Sequence, residues 1–499
     1  MKVAVRADAG PAMGSGHIMR CLCLADALRV RGARVTFLCR SLPPHLANAI
    51  TAGGHSLCTL PLLTTDDAPQ NNWPEDRQTK DAHATCEALE GLVPDWLVVD
   101  HYGLGREWEN VLRPAVRRLM VIDDLARPHN CDLLLDINLQ AQPQTRYEGR
   151  VPTTTRLLLG PRFALLRPEF RAAHKKAPPR AGTVRRLLVF MGGMDAGNAT
   201  GTVLQAIALT AQRGLALDVV IGTSHPAREA ITAFCAAWPR ARCHVQTDQM
   251  ANLLARCDLA IGAGGGATWE RCCLGVPTLA LALADNQRTQ LGALAAAGLA
   301  YVPDDPPPEA VRLSSHLLAL LDNSSLRKAM SEAGMALVDG RGAERVSSTM
   351  IAGLLRLRPA VPGDSARILE WRNAPRVREM SLDNTEISAP LHERWFEQVL
   401  AASDRVLLIG EDDEGPAGVV RFDLSEGRAT ISIYLAQERF GQGLGPGLLR
   451  AAEDWLAVSH PEILWVHAQV QAVNAASLHL FEQGGYRLDS YHFSRKIQA

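Results

Sequence analysis

The sequence predicts an α/β protein of two successive doubly wound lobes, followed by a smaller α+β module. Three observations carry this. Short runs rich in Val, Leu and Ile alternate with amphipathic segments up to residue 142, the pattern of a parallel sheet covered on both faces. The pattern restarts at Arg186. Near Leu357 it gives way to longer alternating strands and a hairpin. The expected divisions are 1–142, 143–353 and 354–499. At 499 residues the chain is too long for one core and suits about three domains.

In the first lobe Lys2–Ala7 reads as a strand, His17–Arg31 as a helix closed by Gly32, and Arg34–Cys39 as a strand. Trp96–Asp100, Leu119–Asp123 and Asp132–Ile137 are further strands. Leu60–Gln78 is polar and proline-bearing and reads as a long surface loop. Gln142–Thr183, with several prolines and basic residues, reads as a connection between lobes. The second lobe has strands at Arg186–Met191, Leu217–Ile221, Arg242–Gln246, Asp258–Ile261 and Pro277–Leu283. A helix is expected at Asn198–Arg213, and a helical stretch around Ser325–Leu357 closes the unit.

The third module starts with strand Arg358–Pro362 and helices Asp364–Asn373 and Leu391–Leu400. A hairpin of Val406–Glu411 and Ala417–Asp423 turns at Glu414-Gly415. Strand Arg428–Ala436, helix Gly445–Val458, strand Ile463–Val470 and helix Asn474–Gln483 follow, with β structure over Tyr486–Ile497.

Composition narrows the function. Lys and Arg number 52 against 53 Asp and Glu, which gives no electrostatic footprint for nucleic acid or an anionic membrane. No stretch approaches the roughly 20 apolar residues of a spanning helix. Met1–Arg6 runs into a strand with no apolar signal region, so a cytoplasmic location is expected. The 11 cysteines are odd in number and contain no CxxC pair, which favours free thiols in a reducing compartment over disulfides or metal. None lies beyond Cys273, a hint that the C-terminal module has a separate origin. No metal-ligand motif appears.

The first strand is followed by Gly14-Ser15-Gly16-His17, which opens a helix. Such a turn brings backbone N–H groups and the helix dipole to bear on an anion. Met19 stands where the third glycine of a dinucleotide fingerprint would fall, so this is not one. His17 follows directly, with Arg20 one turn on. The positive end of a helix favours a neutral imidazole, the form a general base requires. The spacing fits equally a histidine that caps the helix or fills a cleft wall. In the second lobe, Gly192-Gly193 follows a strand, and Gly262-Ala263-Gly264-Gly265-Gly266 leads into a helix bearing Glu270. Packing alone rarely demands three consecutive glycines. A diphosphate on these amides, with Glu270 accepting from ribose hydroxyls, is the favoured reading over close helix–sheet contact and a solvated carboxylate. Asp285-Asn286-Gln287 starts the next helix and would face the same cleft, although N-capping by Asp285 explains much of it.

Arg6-Ala7-Asp8, Gly14-Ser15-Gly16-His17 and Arg20-Cys21-Leu22 together resemble the UDP-2,4-diacetamido-2,4,6-trideoxy-β-L-altropyranose hydrolases of pseudaminic acid synthesis. The likeness continues through Asp100-His101-Tyr102, Ile122-Asp123-Asp124-Leu125, His129 to Asp136, Leu159-Gly160-Pro161, Leu166 to Phe170 and the Glu270 segment. It spans about residues 1–345. The resemblance implies the GT-B fold, with His17 activating water at the anomeric carbon. Gly14, Gly16 and Arg20, with Gly192, Gly193, Gly264, Gly265 and Gly266, would hold the UDP-sugar. Glu270 would bind ribose, and Asp285, Asn286 and Gln287 would line the sugar-diphosphate region. His101 and Tyr102 are sugar-side or structural residues, and His129 is structural. One departure is Asn138 after Asp136-Ile137, where a more polar pair is expected.

In the third module, Gly441-Gln442-Gly443-Leu444-Gly445 would expose successive amides at a helix N-terminus, suited to a pyrophosphate. Pro446 in the first turn loses no hydrogen bond. With Asn474 to Tyr486, this segment resembles the GNAT acetyltransferases over about residues 355–499. Trp371-Arg372-Asn373, Val377-Arg378, Met380, Ile387-Ser388, His392 and Trp395-Phe396 are similar to the N-acetyltransferase of the same pathway. The resemblance implies acetyl-CoA held by the amides of Gly441, Gln442, Gly443, Leu444 and Gly445, with Asn474 on the cofactor arm. Phe440 takes the first position of the family's loop, with Arg439 one place early. Phe481 stands where many members carry a tyrosine general acid. Tyr434, Tyr486 or a water would then protonate the thiolate, and no acid is assigned. His392 and His467 are possible bases, with a structural or solvent-facing role the favoured reading of each.

The expected function is acetylation of the 4-amino group of UDP-4-amino-4,6-dideoxy-N-acetyl-β-L-altrosamine, followed by hydrolytic release of UDP from the diacetamido product. The partners are a UDP-activated amino sugar and acetyl-CoA, without nucleic acid, membrane or metal. The rivals are a GT-B glycosyltransferase, a non-catalytic UDP-sugar-binding module fused to an acetyltransferase, and the same two chemistries on a related sugar isomer.

Overall fold

The computed structural model describes residues 1–10, 13–63, 73–140, 142–303, 309–412 and 414–489. The chain divides into two compact units. One holds Met1–Arg29 and Arg34–Val346, the other Val30–Ala33 and the chain from Ser347 on.

The first unit contains two all-parallel sheets. The N-terminal sheet comprises β1 (Lys2–Ala7), β2 (Arg34–Cys39), β3 (Ser56–Thr59), β4 (Trp96–Asp100), β5 (Leu119–Ile122), β6 (Leu133–Asp136) and β7 (Arg156–Leu159), in the order β3-β2-β1-β4-β5-β6-β7. Every residue of β4, β5 and β6 is buried, which is why these strands read as unbroken apolar runs. The second sheet comprises β8 (Arg186–Phe190), β9 (Ala216–Ile221), β10 (Ala241–Val245), β11 (Leu259–Ala263) and β12 (Thr278–Leu281), ordered β10-β9-β8-β11-β12. Each sheet reverses its winding once, between β1 and β4 and between β8 and β11. Ligands of doubly wound sheets bind outside the carboxyl ends of strands at such a reversal.

Three expectations for this unit need correction. The segment read as an inter-lobe connection contains β7, which pairs with β6 from Leu133↔Arg156 to Asp136↔Leu159 and extends the first sheet. Four residues are too short to stand out among prolines. The loop expected over Leu60–Gln78 ends early: helix Glu75–Leu89 has begun, and residues 64–72 lie outside the described residues. Its buried face carries Arg77, Asp81 and Thr85, so apolar periodicity is weak. The helical stretch around Ser325–Leu357 is two helices, Ser324–Leu337 and Gly342–Leu354, broken at Gly340 with φ 75°.

The buried face of Glu75–Leu89 explains how β1 tolerates a fully buried arginine. Arg6 donates through Nε to Asp81 Oδ1 at 3.1 Å and through Nη2 to Asp81 Oδ2 at 2.8 Å. Arg40 donates to the same Oδ2 at 2.8 and 3.0 Å, and the Trp108 indole to Oδ1 at 2.9 Å. Burial opposes ionisation of Asp81, but Arg6 and Arg40 hold it down to about 2.

The second unit is one sheet of β13 (Arg356–Pro359), β14 (Arg405–Asp412), β15 (Gly415–Ser425), β16 (Arg428–Leu435) and β17 (Trp465–Ala468), in chain order. β13 to β16 are antiparallel, and β17 runs parallel to β16. Helix Leu444–Ser459 crosses the sheet where Gly410 and Gly418 lack side chains. A Cβ there would meet Leu448 at 2.3 and 2.9 Å. Of the β structure expected over Tyr486–Ile497, residues 486–489 are not strand, and 490–497 lie outside the described residues.

Asp81→Asn leaves two buried guanidiniums without their shared charge and is expected to destabilise the first unit by about 3–5 kcal/mol in urea unfolding. Because folding depresses the Asp81 carboxyl, its contribution is present above the ordinary carboxylate range. It is lost as pH falls through about 2.

Candidate active sites

Asp100, the last residue of β4, lies fully buried at the first reversal. Helix Gly16–Val30 starts beside it, after a loop in which Gly14 adopts φ 77°. A side chain would meet nothing within 4 Å at Gly14 or Gly16, so both leave open space at the helix start. His17 Nδ1 lies 2.5 Å from Asp100 Oδ1. Arg20, one turn on, donates through Nε to Asp100 Oδ2 at 2.5 Å and through Nη2 to Oδ1 at 2.6 Å. Burial opposes ionisation of Asp100, yet Arg20 and His17 hold its carboxyl well below the usual range. Arg20 Nη2 also lies 3.2 Å from His17 Nδ1, but the Asp100 oxygen is closer and takes the Nδ1 proton, so a neutral His17 presents a bare Nε2.

Tyr102 meets the His17 ring edge-on at 4.7 Å and donates to Asp124 Oδ2 at 3.1 Å. Arg20 Nη1 reaches the same oxygen at 3.4 Å. Tyr102 thus belongs to the His17 cluster, whereas His101 is buried on the side of Asp8, 3.4 Å away. His129 is buried between Glu109 at 2.6 Å and Asp123 at 3.4 Å. Although burial opposes its charge, these carboxylates push it up to about 9, and it serves as an internal clamp. Asn138 simply donates its backbone N–H to Asp136 at 2.9 Å. The sequence reading assigned no roles to Asp100 and Asp124. The available signal was an acid at the carboxyl end of a buried parallel strand.

At the second reversal the glycines divide by function. Gly262 and Gly264 are packing residues: a Cβ would lie 2.5 Å from the Arg271 guanidinium and 2.8 Å from Leu291, respectively. Gly265 and Gly266 face open space. Gly192 adopts φ 97°, and a Cβ on Gly193 would sit 4.0 Å from Ser15 Oγ. Glu270, in helix Ala267–Cys273, is half-buried and accepts no hydrogen bond from the described side chains. Burial pushes its carboxyl up to about 7 against the pull of Arg167 and Arg271. Ala284, not Asp285, occupies the N-cap of helix Asp285–Ala296. Asp285 is exposed and pairs with Arg288 at 3.1 Å. Gln287 Oε1 accepts the Leu283 N–H at 3.0 Å, and the side chain of Asn286 lies outside the described residues.

In the second unit, β16 pairs with β17 only from Arg428 to Ile431 and then runs on to Leu435, so the strands part. The loop beyond enters helix Leu444–Ser459 through Gly441 at φ 78° and Gly443 at φ 70°. No atom outside the loop would meet a side chain on Gly441. Arg439 ties the loop down, donating to Gln442 Oε1 at 2.8 Å and to Asp412 at 2.5 Å. Gln442 therefore contributes its backbone to the cradle. Asn474 caps helix Ala475–Gly484 by accepting from Ser477 N–H at 3.0 Å, and its amide donates to Met380 O at 3.1 Å. These bonds position the helix, a role the spacing did not reveal. Phe481 is buried and meets Tyr486 edge-on at 4.9 Å. His392 is buried and donates to Ser365 O at 3.0 Å, as a structural histidine does.

Two doubly wound lobes, each reversing once, are followed by a mixed sheet with a glycine loop at a helix start. Residues 355–487 match the family Acetyltransferase (GNAT) domain. The spore coat polysaccharide biosynthesis protein SpsG of Bacillus subtilis is 29% identical over 70% of this chain and 98% of its own. The UDP-2,4-diacetamido-2,4,6-trideoxy-β-L-altropyranose hydrolase of Campylobacter jejuni is 24% identical over 51% of this chain and 81% of its own. Among solved structures, MurG of Acinetobacter baumannii superposes with a TM-score of 0.50 at 16% identity, covering 70% of this chain and 99% of that one. MnaA of S. aureus with UDP gives 0.50 at 13%, covering 71% and 96%. Both share the fold. The chain thus carries a GNAT acetyltransferase domain at residues 355–487, after a two-lobed unit that shares the fold of MurG and is similar in sequence to SpsG and to the Campylobacter hydrolase.

Folding raises the Glu270 carboxyl, so its neutral form stabilises the native state below the ordinary glutamate range, and that contribution is lost as pH rises toward about 7. Glu270→Gln should therefore gain thermal stability relative to the parent between those limits and show no gain at pH 4. Scanning calorimetry across pH checks this.

Proposed function

We propose that the chain performs two successive steps on one nucleotide sugar in the cytoplasm, as part of pseudaminic acid synthesis. The GNAT domain, residues 354–499, acetylates the 4-amino group of UDP-4-amino-4,6-dideoxy-N-acetyl-β-L-altrosamine. The amine nitrogen bonds the acetyl carbon, the C–S bond of acetyl-CoA breaks, and the thiolate takes up a proton. Backbone amides from Gly441 to Gly445 hold the pyrophosphate, and orientation supplies most of the acceleration. The two-lobed unit, 1–142 and 143–353, then hydrolyses the diacetamido product.

The observation that carries the hydrolase reading is the His17–Asp100 contact at a helix start beside open space. With Nδ1 held, His17 Nε2 takes a proton from water as the oxygen bonds the anomeric carbon and the bond to UDP breaks. Asp100 is a positioning residue: it fixes the ring and balances the imidazolium, as the acid of a catalytic triad does. Amides of Gly192, Gly193, Gly265 and Gly266 receive the departing diphosphate, and Glu270, half-buried with no donor of its own, takes the ribose hydroxyls. A binding module has no need of this base, and a glycosyltransferase would pass the sugar to an acceptor other than water.

Proton NMR of the purified chain with the 4-amino nucleotide sugar tests both steps. Free diacetamido sugar and UDP should appear only when acetyl-CoA is present. His17→Ala should stop at the acetylated nucleotide sugar, and Asp100→Asn should slow UDP release by roughly 10²–10⁴ without slowing acetylation. UDP that is never released, with acetylation intact, would refute the hydrolase assignment.

A further inference from the structure

A cavity of about 200 Å³ opens at the carboxyl ends of β1, β2 and β4, one residue beyond Asp100, and none of the roles above uses it. Asp8, Arg40 and His101 line it together with Met13, Leu62 and Trp73. Arg40 gives Nε and Nη2 to Asp81, while its Nη1 is buried without a partner. His101 Nδ1 accepts the Gly103 N–H at 2.9 Å, so the neutral ring carries its proton on Nε2, which faces Asp8 Oδ2 at 3.4 Å. The Trp73 indole N–H is a second donor buried without a partner. Buried donors left unmade are costly, and a ligand bringing an acceptor oxygen removes that cost.

Charge and lining indicate which oxygen. Arg6 and Arg40 face Asp8 and Asp81, so these four charges cancel, and Arg77 stacks 4.1 Å over Trp73. Both Asp8 oxygens are engaged, Oδ1 by the N–H groups of Arg40 and Ser41 and Oδ2 by Arg6. An ammonium would find donors here and no free acceptor. A neutral carbonyl finds two donors, Arg40 Nη1 and the Trp73 indole N–H, and a methyl beside it meets Met13, Leu62 and Trp73. We propose that this cavity is a subsite for an acylamino group of the sugar, read through its carbonyl oxygen, with Arg40 the specificity-determining residue. It makes hydrolysis follow acylation. The proposal rests on the hydrolase reading for its substrate.

Calorimetry on the full chain carrying His17→Ala, which prevents turnover, tests it with four probes. These are UDP, the UDP-2,4-diacetamido sugar, and its counterparts with a free amine at C2 or at C4. Replacing at least one acetamide by an amine should weaken binding about tenfold or more, the scale of one hydrogen bond to a charged donor. Arg40→Lys keeps a cation for Asp81 but lacks Nη1, and should erase that difference while leaving UDP affinity unchanged. Leu62→Trp, at an exposed rim position, should weaken the diacetamido sugar selectively and decides the matter if Arg40→Lys does not fold. Equal affinities for the three nucleotide sugars with Arg40 in place, or losses that extend equally to UDP, would overturn the subsite. UDP release by the active chain is measured separately. Its absence alongside intact acyl discrimination would sink the hydrolase reading alone.

Discussion

The carboxylate of Asp100 is the interaction on which the first site depends. A fully buried charge at the end of a central strand is stable only with partners, and Arg20 and His17 supply them. Those partners lie one turn apart on a helix whose start is set by the loop after β1. A single carboxylate thus couples strand β4, the glycine turn and the imidazole. If its charge is lost, the ring loses both its orientation and its counter-ion while the sheet persists. The role proposed for Asp100 is therefore in the chemistry, whereas Asp81, buried just as deeply, pairs with arginines and the Trp108 indole and serves stability.

The second lobe solves a complementary problem with backbone. Its glycines at β11 do two jobs that look alike in sequence. Gly262 and Gly264 admit the Arg271 guanidinium and the Leu291 side chain, whereas a Cβ on Gly265 or Gly266 would meet open space. Glu270 beside them is raised by burial and has no donor of its own, the condition of a carboxyl kept for an incoming hydroxyl. In the GNAT domain the left-handed Gly441 and Gly443 shape the loop before the helix, with Gly443 packed on Arg31. Arg439, one place early in that loop, is committed to Asp412, so the binding proposed there rests on the amides.

The sequence made the architecture legible wherever strands are buried on both faces. Trp96–Asp100 and Arg34–Cys39 coincide with β4 and β2, because an apolar run between helices has few other uses. It hid the elements whose buried faces are polar. Helix Glu75–Leu89 turns Asp81 inward to two arginines, and no hydrophobic period reports that. His17 and Arg20 were legible from their place after the glycine turn. Asp100 lies 80 residues from Arg20 in the chain, so only the sheet order brings them together. The cap that Asn474 gives Ser477 is local to its helix, whereas its bond to Met380 O joins residues 94 apart and needs the fold to be seen.

The central claim is that Asp100 holds His17 in the tautomer that leaves Nε2 bare for water. Nitrogen-15 NMR of the histidine rings in the labelled chain at neutral pH, with His17 assigned by its loss in His17→Ala, tests this most directly. The account predicts a protonated Nδ1 coupled to a bare Nε2 in the parent, and loss of that preference in Asp100→Asn. A proton on Nε2 with a bare Nδ1 in the parent would contradict it, because His17 could then not take a proton from water at that atom.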